Sequence, residues 1–164
     1  MIRTAVILLL LTALVWLSCT QQRQPCLDPV RASMILQMVH FKTDTSTKTI
    51  DTSLPSPVFY PVSLQQNDTS FFGAGSTFTL SLSPDTGFCQ WLFTTVKGGA
   101  MDTLSFYYKR KLEFLSNACG FTYFYSLDSV LSTHKIVDSA RVLNATVNNN
   151  INTKHVQVFI HPGY

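Results

Sequence analysis

Downstream of Cys26 the apolar residues recur at every second position in short runs, and each run ends in turn-forming residues. Such alternation sends successive side chains to opposite faces of an extended strand, so it restricts the chain to sheets with one face in a core. Thr77 to Ser83 sets Phe78, Leu80 and Leu82 against Thr79 and Ser81, and Pro84-Asp85-Thr86-Gly87 then supplies a turn. Phe88 to Val96 puts Cys89, Trp91 and Phe93 on one face and stops at Gly98-Gly99. Asp102 to Lys109 alternates Leu104, Phe106 and Tyr108 with Thr103, Ser105 and Tyr107. Ala32 to Lys42 is apolar on both faces, as a central strand is. Pro61 moves the strand Val58 to Leu64 toward an edge or a bend.

Leu112 to Leu115, Phe121 to Leu127, Val137 to Val147 and Lys154 to Ile160 complete the set, with SNACG and NNNINT as breaks. Thr43 to Pro57 has no apolar period and reads as a long exposed connection. Glu113 is the only glutamate in the 164-residue chain, which argues against long amphipathic helices. These patterns predict an all-β chain: a single antiparallel β-sandwich, immunoglobulin-like or an open barrel, of about eight strands.

The N-terminus has a different character. Arg3 precedes an apolar stretch from Ala5 to Leu17, broken only by Thr12, and Ser18 precedes Cys19. The stretch is shorter than the roughly 20 residues that cross a bilayer, so it reads as a secretory signal. A small residue before cysteine matches the end of a bacterial lipobox, although Trp16 and Leu17 are atypical for its upstream part. On this reading residues 1–18 are a signal peptide, Cys19 is the lipid attachment site, 19–25 form a lipidated tether and 26–164 form the β-sandwich domain. The other reading is an ordinary secretory signal cut near Ser18, with a free Cys19. Twelve Lys and Arg stand against nine Asp and Glu, and loss of Arg3 with the signal leaves eleven against nine, a net +2. The one basic cluster, Lys109-Arg110-Lys111, suits a solvated turn or a charge-guarded edge, so nucleic acid is not an expected partner.

Cys26, Cys89 and Cys119 then remain, an odd number in an oxidising compartment. Cys89 runs in phase with Trp91 and Phe93 and reads as a small buried core residue. Cys26 lies before the first strand and Cys119 lies in a break, where backbone freedom allows a bridge, so the expected disulfide is Cys26 to Cys119.

No catalytic constellation stands out. Asp44, Asp51, Asp68, Asp85, Asp102 and Asp128 sit at apparent turns or strand ends, where aspartate is common for local reasons. His155 and His161 share strand parity, but six residues of strand span about 20 Å, too far for one ion; with His40 they read as surface or partner-facing groups. No phosphate loop, Cys-x-x-Cys pair or nucleophile elbow occurs. The expectation is no enzyme, no metal and no cofactor. Asn67-Asp68-Thr69 and Asn144-Ala145-Thr146 match the glycosylation sequon, an accidental match if Cys19 is a bacterial anchor. Phe71-Phe72 and Phe121 to Tyr125 (FTYFY) are either core packing on two faces or a partner-binding patch.

The lipobox cysteine, the second cysteine before an apolar strand, DTLSFYY, SNACGF and the C-terminal NATVNNNINTKHVQVFI together resemble a family of small Bacteroidota outer-membrane lipoproteins of unknown function. The resemblance implies an all-β periplasmic domain, encoded near a predicted outer-membrane β-barrel protein, and supplies no catalytic residues. TQQRQ after Cys19 lacks the acidic run of surface-exported lipoproteins in these bacteria, which favours the periplasmic face of the outer membrane. The expected function is therefore a non-enzymatic binding or scaffold subunit held to the bilayer by acylated Cys19, in a complex with an integral outer-membrane β-barrel and serving outer-membrane protein assembly. The alternative is a module for a glycan or another small ligand, using exposed aromatics such as Trp91 or Tyr107.

Overall fold

A computed structural model describes residues 25–26, 31–41, 49–62, 70–71, 73–150 and 152–161. The signal and tether, 1–18 and 19–25, therefore fall outside the described residues, save for position 25. The described strands are β1 (Ser33–Phe41), β2 (Thr49–Asp51), β3 (Val58–Pro61), β4 (Ser70–Phe71), β5 (Thr77–Ser81), β6 (Phe88–Thr94), β7 (Asp102–Ser116), β8 (Gly120–Ser132), β9 (Val137–Val142), β10 (Thr146–Val147) and β11 (Val156–Ile160). They form two sheets and do not close into a barrel. The first runs β2-β1-β11-β9, with β5 also on β1; the second runs β10-β8-β7-β6-β3-β4.

In the first sheet, β5 pairs with the N-terminal half of β1 and β2 pairs with its C-terminal end. On its other side β1 pairs with β11 in parallel, from Leu36↔Val156 to Val39↔Phe159, whereas the other named pairs are antiparallel. This parallel pair departs from a purely antiparallel sandwich. Side-chain parity records which face a residue takes but not which strand lies beside it, so nothing in the local pattern announces the pairing. Both strands are buried along most of their length, as flanked strands should be.

Three further differences have local causes. The segments read as Asp102 to Lys109 and Leu112 to Leu115 are one fifteen-residue strand, because the basic triplet stays extended and paired with β8. Val137 to Val147 divides at Leu143–Ala145, so β9 joins β11 and β10 joins β8 in the other sheet. Within the connection from Thr43 to Pro57, β2 and the Leu54–Gly75 bridge add backbone pairing that a period of apolar residues does not signal.

The core lies between the sheets and includes Met34, Leu36, Met38, Leu80, Phe93, Leu104, Phe106 and Ile160. Phe59 of the second sheet meets Phe78 of the first at 5.6 Å and its neighbour Phe93 at 4.9 Å. The chain passes from the second sheet to the first between β8 and β9, and Asp102 at the start of β7 caps that crossing. Its carboxylate is fully buried. It accepts the Thr133 hydroxyl at 2.5 Å and the backbone N–H groups of Lys135, Ile136 and Val137 at 2.6–3.0 Å. Burial alone would raise the pKa of Asp102, but the donors outweigh it and hold the pKa below the ordinary carboxylate value.

Asp102→Ala leaves buried N–H groups without an acceptor and should lower the unfolding free energy by about 3 kcal/mol in urea titration. Because the folded-state pKa is depressed, the contribution of Asp102 is complete above the unfolded value near pH 4 and is lost as pH falls through the lower folded value. Wild-type stability should therefore decline in acid more steeply than that of Asp102→Asn, measured as the urea midpoint against pH.

Candidate functional site at the hairpin end

β7 and β8 pair from Leu104↔Ser132 to Ser116↔Gly120, with register shifts after Tyr107 and after Phe114. Tyr107 faces Ser129 and Tyr108 faces Leu127, so Asp128 is an extra residue that bends β8. β6 accompanies β7 through Tyr107, with a last bond from Tyr108 N to Gly87 O, and β10 accompanies β8 at Tyr125 and Ser126, so the hairpin continues as two strands beyond Arg110↔Tyr125. The turn closes through Gly120, whose φ of 70° suits a residue without Cβ, while Cys119 N donates to Ser116 Oγ at 3.0 Å.

The rungs of this extension keep the parity of the core. Phe106 and Tyr108 are buried, and Arg110↔Tyr125, Leu112↔Tyr123 and Phe114↔Phe121 follow on the same face. Tyr108 packs edge-on against Tyr125 at 5.4 Å. The Tyr108 hydroxyl accepts from Ser83 N at 2.9 Å and donates to Ser83 O at 3.1 Å, and the Tyr125 hydroxyl points to Leu82 O at 3.5 Å. Arg110 donates to Pro84 O and lies 5.9 Å from the Tyr123 ring centre. Past these contacts the face is open: Leu112 and Phe114 are each 54% exposed and Phe121 is 62% exposed. Phe114 and Phe121 still touch, with ring centres 5.1 Å apart. The FTYFY segment thus begins as surface at Phe121 and ends as core at Tyr125.

The other face sets Lys109, Lys111 and Glu113 of β7 against Phe124 and the buried Thr122 of β8. Lys111 pairs with Glu113 at 2.5 Å and Lys109 approaches Asp128 at 3.9 Å, with both lysines exposed and Glu113 half-buried. Such pairs stabilise little. Cys119 in the turn is bonded to Cys26, with Cα atoms 4.8 Å apart and 93 residues between them in sequence. The start of the domain is therefore fixed at the outermost point of the hairpin. Cys19, read as the lipid site, lies outside the described residues.

Other sequence candidates are dispersed. Trp91 is buried, so it offers no binding platform, because it takes the face of β6 turned to the core between the sheets; Tyr107 is 40% exposed. His155 is buried and accepts from Ile35 N through Nδ1, and burial lowers its pKa. His40 bonds Thr52 Oγ1 at 2.6 Å and His161 meets Asp138 at 2.9 Å, each apart from His155. Asp51 engages Gln37 and Lys154, and Asp85 N bonds Ser83 Oγ; Asp44 and Asp68 lie outside the described residues. Among the described residues no three His, Cys, Asp or Glu are grouped to hold a metal. Cys89 is buried and unbridged, and burial pushes its thiol to about 11 against weaker opposing hydrogen bonds from Tyr108, Ser83 and Trp91.

Sequence alone divides the strand at Lys109-Arg110-Lys111, a solvated turn or a charge-guarded edge, so Leu112 and Phe114 go unmarked, whereas Phe121 falls in FTYFY, core packing or a partner-binding patch. The usable signal was parity, since Leu112 and Phe114 fall in phase with Phe106 and Tyr108.

Residues 41–160 match a family of unknown function, DUF6452. No curated protein and no solved structure matches the chain.

Replacing Cys26 and Cys119 together by serine removes a cross-link over a loop of 93 residues and should cost about 2–4 kcal/mol in denaturant unfolding. In wild type, Cys89 should resist a thiol reagent at pH 8 and react only across the unfolding transition, as followed by mass.

Proposed function

Given that the chain belongs to the DUF6452 family, whose function is unknown, we propose a role from its own residues: a lipid-anchored, periplasm-facing outer-membrane protein acting as a non-enzymatic binding or scaffold subunit. The observation that carries this reading is the bond from Cys26 to the hairpin turn, seven positions after Ser18-Cys19 and its apolar leader. A chain attached through Cys19 holds its domain within about 25 Å of the lipid surface at full extension. Two or three acyl chains make such an attachment stable where one is marginal.

Confinement of that kind raises the effective concentration of the domain beside integral membrane proteins, so a modest interface is enough for occupancy. The partner class is an integral outer-membrane β-barrel protein, with outer-membrane protein assembly as the process served. The resemblance to Bacteroidota lipoproteins supports that choice. A glycan- or small-ligand-binding module is the weaker reading. The cavity between Arg31, Ile35, Thr79 and Asn149 is about 130 Å³, well below the roughly 300 Å³ at which small-molecule sites begin.

Cys19→Ser should abolish acylation, leave the precursor unprocessed by the lipoprotein signal peptidase and reduce recovery of partner in gentle detergent extracts at matched abundance. The wild-type protein should co-purify with an integral barrel in fixed ratio. An unchanged mature mass in Cys19→Ser removes the anchor, and a solitary wild-type protein removes the scaffold role.

A further inference from the structure

We propose that the free end of the β7–β8 hairpin is a second membrane contact, in which Leu112, Phe114 and Phe121 rest in the headgroup–acyl boundary of the bilayer that carries the anchor. The proposal rests on the anchored reading above and adds an orientation to it: the hairpin points at the lipid and the sandwich stands behind it.

The first argument is the length of chain outside the described residues and where it ends. Cys26 is bonded to Cys119 in the hairpin turn. Seven residues from Cys19 reach at most about 25 Å, so the apolar rungs next to that turn are the part of the domain held nearest the lipid. Had Cys26 been joined to the opposite end of the sandwich, the same tether would present a different surface.

The second argument is the chemistry of the end itself. Three apolar side chains, each more than half exposed, share one face and continue the core parity past the last rungs buried by Leu82–Pro84. Solvent exposure of such a group is unfavourable, and it is relieved by an apolar neighbour. Lys109, Arg110 and Lys111 accompany it with Glu113 as the one acidic residue between positions 109 and 127, which suits anionic headgroups. Tyr123 pairs with Leu112, one rung behind Phe114↔Phe121 toward the body, in the position that aromatic hydroxyls take at interfaces.

The third argument limits the depth. Neither β6 nor β10 accompanies the last rungs, so outward backbone N–H and C=O groups there need water. Unpaired backbone is not tolerated in hydrocarbon. The contact is therefore interfacial, and the hairpin does not span.

The test uses the full mature protein purified with its own anchor and placed in vesicles of phosphatidylethanolamine and phosphatidylglycerol brominated near the headgroup end of the acyl chains. Tryptophan is introduced in separate variants, Phe114→Trp at the hairpin end and Leu131→Trp at the far end of β8, where residue 131 is 57% exposed. Trp91 is buried and gives the common background. Emission from Phe114→Trp should shift to the blue and fall roughly twofold with brominated lipid, as for a ring at the interface, while Leu131→Trp stays unchanged. Mass and vesicle flotation report the anchor independently. Protection of Cys89 from thiol reagent verifies the fold of each variant. An acylated protein that floats with equal, weak quenching at both positions overturns the proposal and leaves the anchor standing, as expected if the face docks instead on a protein. A chain that lacks acyl groups but still shows selective quenching of Phe114→Trp overturns the anchor and supports the membrane contact; absence of both readouts overturns both.

Discussion

The parallel pairing of β1 with β11 is the constraint on which the rest of the architecture depends. It sets the first long strand beside the last, so the first sheet has no centre until nearly the whole described chain is in place. The Arg141 guanidinium covers the outer face of this pair, donating to Gln157 Oε1 at 2.6 and 2.9 Å and lying 5.2 Å from the Phe159 ring centre. Phe41 stacks on the same ring at 4.8 Å. That cover explains why Gln157 and Phe159 are buried on what would otherwise be a wet side. The long sequence separation makes the pairing entropically costly to form. The Cys26–Cys119 bridge acts on that cost, because it fixes the chain a few residues before β1 to a local hairpin that needs no distant strand.

Asp102 solves a related problem at the opposite place in the chain. A crossing between sheets exposes backbone donors just where the core is tightest. One buried carboxylate collects the donors of Thr133, Lys135, Ile136 and Val137, and Thr133 in turn accepts from Thr103 N at 2.9 Å. The cap ties β7, β8 and β9 into one unit. An aspartate that sequence statistics assign to an ordinary turn is here the junction of the two layers.

Much of the fold was legible because the physical signal was local. Phe78, Leu80, Cys89, Phe93, Leu104 and Phe106 alternate with polar residues, and their burial follows directly from strand parity. Parity also placed Cys89 inside, but the same inference applied to Trp91 should have removed it from the surface candidates, since the two share a face of β6. The parallel pair was not legible, because strand neighbours are chosen by long-range geometry. The division between β9 and β10 was hidden in the same way: Val142 and Val147 belong to one apolar run but pair with different sheets. At the hairpin end the difficulty was of another kind. Three consecutive basic residues suit a solvated turn as well as a charge-guarded edge, and only the pairing with β8 selects the edge.

The distribution of edges separates the duties of the two sheets. Beside the body of the second sheet the described edge strands are β4 and β10, each of two residues, which offer little for another chain to pair with, and the open edges of this sheet are those of the hairpin beyond Arg110↔Tyr125. The first sheet ends on one side in β9, of six residues, and on the other in β5 and β2, of five and three residues along β1. Their outward polar residues include Thr77, Thr79 and Ser81 on β5 and Ser139 and Arg141 on β9, a surface that tolerates water yet keeps a usable row of backbone groups. The hairpin belongs to the second sheet, whereas β5 and β9 belong to the first. A domain oriented with its hairpin toward lipid would therefore place the open hairpin edges in the wet headgroup region and present β5 and β9 on the layer that does not carry the membrane contact, which leaves strand pairing with a neighbouring protein and attachment to the bilayer free of mutual obstruction.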